Sequence, residues 1–164
     1  MLYAEPNAFD ADLTRRYLAQ YAPGVSLDVV GTGEEVMARR PVKAGEGTPA
    51  YDLLMLDYRL PGLNALEVVR SVRRERGLRL PIVLVTGHGN EALAVEALRQ
   101  GCDEYLTKHE GYLRQLPLIM EKLRQQVELI QSEARYRNLY ENNQAVMLLV
   151  VGRVGPCRGS VPGR

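Results

Sequence analysis

Cysteine is scarce in this sequence. The two residues, Cys102 and Cys157, supply neither a disulfide framework nor a metal-ligand spacing. No charge of one sign dominates either. The formal net charge is +1, which gives no broad electrostatic reason to bind nucleic acid or an anionic membrane. Long hydrophobic runs are missing, and the longest fall far short of a membrane span. The opening Met1-Leu-Tyr-Ala-Glu-Pro6 lacks the basic start and apolar stretch of a signal peptide. Gly31-Thr-Gly33 and Gly87-His-Gly89 are too short for a nucleotide-binding fingerprint and lack its context. These absences leave a cytoplasmic protein as the expectation, with neither nucleic acid nor membrane as a partner.

What is present suits a folded domain. Hydrophobic residues make up 46% of the 164 positions and charged residues 25%, enough for a core plus a soluble surface. Met1–Ala4, Leu27–Val30, Leu53–Leu56 and Ile82–Val85 are short apolar runs bounded by turn residues. They read as buried strands, with Glu104–Thr107 as a weaker fifth. Runs without alternation imply a parallel sheet covered on both faces.

Helical patterns lie between the strands. Leu13, Tyr17, Leu18 and Tyr21 are expected to share one face of a first helix. Thr32-Gly-Glu-Glu35 has capping-box spacing and opens a second. Leu66 with Val69, and Val68 with Val72, mark a third. Asn90 caps a fourth, which Gly101 ends in a left-handed conformation. Pro117 suits the first turn of a fifth. Residues 41–50, with two prolines and two glycines, read as a flexible surface loop.

Strand followed by helix, five times over, predicts an α/β doubly wound five-stranded parallel sheet. The common small version has the flavodoxin-like order 2-1-3-4-5, with its site at the carboxyl ends of the strands. That rule gathers Glu5, Asp57, Thr86 and Lys108 on one edge. A carboxylate held at a strand end, as Asp57 is, can attack phosphorus and form an aspartyl phosphate. Lys108 supplies positive charge for the spreading negative charge of phosphoryl transfer, and Thr86 a hydroxyl donor. Magnesium is the usual further partner, held by carboxylates and a carbonyl. Glu5, Asp57 and the Arg59 backbone carbonyl are the candidates. Each residue also has an ordinary reading. Asp57 before Pro61-Gly62 could be a turn residue, Lys108 a solvated lysine and Tyr105 a half-buried ring. Glu5 could instead serve the dipole of the first helix.

Four segments carry a resemblance. They are Tyr3-Ala-Glu5, Leu53-Leu-Met-Leu-Asp57-Tyr-Arg-Leu-Pro61-Gly62, Leu84-Val-Thr86-Gly and Tyr105-Leu-Thr-Lys108. In this order and spacing the sequence resembles the receiver domains of two-component response regulators. The resemblance implies that Asp57 takes phosphate from a histidine kinase or phosphotransfer protein, and that Thr86 and Tyr105 form a switch pair. It implies that Arg59 and His88, each two positions past a site residue, tune how fast water removes the phosphate. One position departs from the family. Pro6 stands where a second acid, generally the direct metal ligand, is usual, so weak magnesium binding is expected, with Asn7 and Asp10 as the candidate substitutes.

The pattern changes after residue 116. Met120, Leu123, Val127, Ile130 and Ala134 follow a heptad seam, which predicts a long helix over 117–142 able to pair with a second copy. Glu133 to Val150 resembles the opening of a PAS sensory domain, a linker helix and one strand, placed at 143–164 with the tail. The final residues lack periodicity and are expected to be disordered, as in a truncated or frame-shifted product. The predicted function is a phosphoacceptor switch that signals through its helix rather than an enzyme. The alternative is the front of a larger receiver–PAS histidine kinase or nucleotide cyclase, whose catalysis would need other sequence. A flavin-binding relative of the fold is disfavoured by the lack of a phosphate-cradling loop after the first strand.

Overall fold

A computed structural model describes residues 1–39, 51–75, 77, 79–87 and 91–151. The chain divides into two compact units, Met1–Gln125 and Gln126–Arg164. The first begins with β1 (Leu2–Ala4), α1 (Ala8–Tyr21), β2 (Asp28–Val30) and α2 (Gly33–Ala38). It continues with β3 (Leu54–Asp57), α3 (Ala65–Arg70), β4 (Ile82–Thr86), α4 (Glu91–Gln100) and β5 (Glu104–Thr107). A π-helical turn, Ser71–Glu75, extends α3, and a 3-10 turn, Tyr112–Gln115, leads into α5 (Leu116–Val151). The sheet order is β2-β1-β3-β4-β5 and every pairing is parallel.

Alternation along the strands divides the core between the two faces of the sheet. Leu2, Ala4, Leu54, Leu56, Ile82 and Leu84 pack with Val68, Val69, Val72, Ala97 and Cys102. Tyr3, Met55, Val83, Val85 and Leu106 pack with Leu18, Leu113, Leu116 and Leu123. Cys102 packs in this core as a small apolar residue. Burial pushes its thiol up to about 12, so it stays protonated.

The turns follow their residues. Thr32 accepts the Glu35 N–H at 3.1 Å, while the Glu35 carboxylate accepts the Gly31 N–H at 2.7 Å, one residue before the usual capping-box partner. Asn64 and Glu67 form the full reciprocal box on α3. After β3, Gly62 turns the chain at φ +71°, and a Cβ there would meet the Glu34 carboxylate at 2.3 Å. Gly101 ends α4 at φ +109°.

Two expectations are corrected. The buried face of α1 is Ala11, Thr14 and Leu18, whereas Leu13 and Tyr21 are exposed. The apolar stripe expected from the larger side chains is thus out of phase, because small residues approach the sheet. Tyr17 and Tyr21 stack at the margin with ring centroids 4.6 Å apart. At the other end, α5 is helical through Val151, where a strand was expected beyond residue 142. Short apolar runs such as Val146–Val151 fit either conformation by periodicity alone. Asn90, the 41–50 loop and the 152–164 tail lie outside the described residues.

Candidate functional site

The register of the sheet builds the site. Ala4 pairs with Leu56, Asp57 with Val85 and Thr86 with Thr107. Backbone bonds extend this order past the strand ends. Glu5 N–H donates to Val30 O at 2.9 Å, and Lys108 N–H to Thr86 O at 2.8 Å. Glu5, Asp57, Thr86 and Lys108 therefore reach the carboxyl edge together, as the sequence predicts.

Lys108 is the centre. Its Nζ lies 2.6 Å from Glu5 Oε2, 2.7 Å from Asp10 Oδ2 and 2.5 Å from Asp57 Oδ2. An ammonium has three N–H donors, and three carboxylates match them. Burial by itself would lower the pKa of Lys108. The hydrogen bonds to Asp10, Asp57 and Glu5 outweigh it and hold the group above its ordinary value. Lys108 is therefore a fixed positive charge at neutral pH.

The acids are held from below. Glu5 Oε2 also accepts the Tyr3 hydroxyl at 2.6 Å, and Oε1 accepts the Asn7 N–H at 2.9 Å. Burial, then the bond to Glu5, pushes the Tyr3 phenol far above its ordinary pKa, so it remains a donor. Asp57 Oδ1 accepts the Arg59 N–H at 2.7 Å, which fixes the carboxylate on the loop after β3. Asn7 caps α1 by accepting the Phe9 N–H, and this sets Asp10 in the first turn, facing Lys108.

Thr86 is buried at the end of β4. The Tyr105 ring is half-buried against the core face shared with α3 and α4. The hydroxyls of Tyr105 and Tyr112 are buried, with the Thr107 and Thr14 side chains as their polar neighbours. His88 lies outside the described residues. Among the described residues, no group of three His, Cys, Asp or Glu side chains forms a metal cluster. None of the helices there is long and apolar enough to cross a membrane.

Sequence reasoning weighed Asp10 only as a substitute for the missing acid and passed over Tyr3 as a ligand to Glu5. Asp10 belongs to no short motif with Glu5. Only the phase of α1, set by the Asn7 cap, brings it in.

Comparison with known proteins matches this geometry. The family model for the response regulator receiver domain covers residues 5–117. The regulatory protein LuxO of Vibrio cholerae is 36% identical over 104 residues, 63% of this chain and 21% of LuxO. The transcriptional regulatory protein ResD of Bacillus subtilis is 33% identical over 109 residues, 66% of this chain and 41% of ResD. The chain thus spans well under two-thirds of these relatives. Among solved structures, the phosphorylated cyanobacterial phytochrome response regulator RcpA superposes with a TM-score of 0.57 at 27% identity, covering 74% of this chain and 88% of that one. The Francisella response regulator 1452 receiver domain shares the fold, with a TM-score of 0.64 at 19% identity, covering 77% of this chain and 96% of that one. By the family match and the sheet order together, this chain belongs to the response regulator receiver domain family.

Proposed function

We propose that Asp57 accepts a phosphoryl group from a phosphohistidine on a partner kinase or phosphotransfer protein. The observation that carries this reading is the Asp57–Lys108–Glu5 contact at the strand ends. One Asp57 oxygen bonds to phosphorus as the P–N bond breaks, and the histidine nitrogen keeps the electron pair and takes a proton. Lys108 offsets the developing negative charge, and the Thr86 hydroxyl binds a phosphoryl oxygen. The phosphorylated state of RcpA in its own structure supports the assignment by likeness.

The product adds a local charge of about −1.5 to −2. Thr86 and Tyr105 then act as the switch pair. Thr86 moves towards the phosphoryl group, and Tyr105 settles into the space released. Arg59 and His88 tune dephosphorylation. The domain is a switch rather than a catalyst, in a cytoplasmic setting, and passes its state to the helix that follows it.

Receiver domains generally bind magnesium at this pocket. Here Glu5, Asp57 and the Arg59 carbonyl would hold it. Glu5 Oε1 and Asp57 Oδ1 each accept a single backbone N–H, so each keeps a lone pair. Magnesium commonly takes one or two carboxylates and completes its shell with water, so this donor set fits. Bound there, the ion would neutralise charge on the transferring group. Pro6 contributes no ligand, so the affinity is low.

The test is mass spectrometry after treatment with acetyl phosphate. One added phosphoryl group is expected on the parent chain and none on Asp57→Asn. A variant that still gains the group would remove Asp57 from the role.

A further inference from the structure

The geometry points to a role for Asp10 that rests on the phosphoacceptor reading and goes beyond it. We propose that Asp10 is a positioning residue that holds the third donor of Lys108 until the incoming phosphoryl group takes its place. Lys108 has no N–H to spare while Glu5, Asp10 and Asp57 are all bound. A phosphoryl group on Asp57 needs that ammonium, so one acceptor has to leave.

The three acceptors are unequal. The Glu5 side chain is 1% exposed and is fixed by the Tyr3 hydroxyl and the Asn7 N–H. Asp57 carries the phosphoryl group itself. Asp10 is 24% exposed and stands on the first turn of α1, where its carboxylate can turn to water. A doubly charged group arriving nearby also repels it.

Asp10 therefore competes with phosphate for Lys108, which keeps the unphosphorylated site closed. Removing its charge should favour phosphoryl uptake. A hydrogen bond to a charged group contributes enough that its loss should change the rate by about tenfold.

The experiment measures the initial rate of phosphoryl uptake from acetyl phosphate by intact-mass spectrometry, at several magnesium concentrations. Parent, Asp10→Asn, Asp10→Glu and Asp57→Asn chains are compared, each checked for folding by circular dichroism. Asp10→Asn is expected to run about tenfold faster at every magnesium concentration, with Asp10→Glu restoring the slow rate. A purely structural role would not raise the rate. An unchanged rate overturns the proposal. So does a slower rate with a steeper magnesium requirement, which would make Asp10 a metal ligand. In both cases the parent still labels at Asp57 and the phosphoacceptor reading stands. If neither parent nor Asp10→Asn takes up phosphate, the phosphoacceptor reading fails and this proposal falls with it.

Discussion

At the scale of single residues, Pro6 has the largest chemical consequence. Its ring offers no oxygen and its nitrogen no hydrogen. The carboxylate beside Glu5 and Asp57 comes instead from Asp10, which meets them at Lys108. Restoring an acid with Pro6→Asp should tighten magnesium binding. Altering an outer-shell partner already shifts metal affinity by about tenfold or more, and a direct ligand should do at least as much. Calorimetric titration of magnesium into both chains checks this, and equal affinities would show that Pro6 costs the site nothing. Glu5, Asp57, Thr86 and Lys108 were legible in the sequence because strand ends fix where they point. Asp10 was not legible as a Lys108 partner. Its approach depends on the rotation of α1, which the sequence reading set by Leu13 and Tyr21 when Ala11 and Thr14 face the sheet.

Among the elements, α3 shows how distant segments are tied. The Arg73 side chain in its π-helical turn donates to Gly101 O at 2.8 Å, to Leu80 O at 2.7 Å and to Asp103 Oδ2 at 2.7 Å. Asp103 Oδ2 also accepts the Ile82 N–H at 2.7 Å. One guanidinium thus joins the end of α3 to the end of α4 and the starts of β4 and β5. Its fork geometry suits this work better than a lysine would. Arg73→Met keeps much of the stem and loses the donors, so it should destabilise the domain by about 1–3 kcal/mol. Urea unfolding checks the value, with an unchanged slope expected. Phosphoryl uptake should persist, because these contacts lie at the opposite end of the strands from Asp57. The sequence reading located all five strands, four of them because short apolar runs there are bounded by turn residues. It had no sign of the π turn or of the Arg73 contacts, two of which join residues 28 and 30 apart.

On the scale of the whole molecule, α5 carries the output question. Of its heptad seam, Leu123 is buried in the core of the first unit. Farther along the same face, Val127 is half-buried and Ile130 is 44% exposed. Large apolar side chains along one helix leave a surface that water solvates poorly. We infer that a second copy of the chain covers it through a parallel pairing of the 117–142 helices. Each buried methylene contributes about 0.8 kcal/mol, so two paired seams can offset the entropy lost on association. Ile130 is the large seam residue least covered by its own chain. Ile130→Asp would place two carboxylates face to face across a parallel pair and should dissociate it. Sedimentation velocity should then give a dimer for the parent and a monomer for the variant, with phosphoryl uptake at Asp57 retained in both. A parent that remains monomeric at high concentration would mean that the seam serves only packing within one chain.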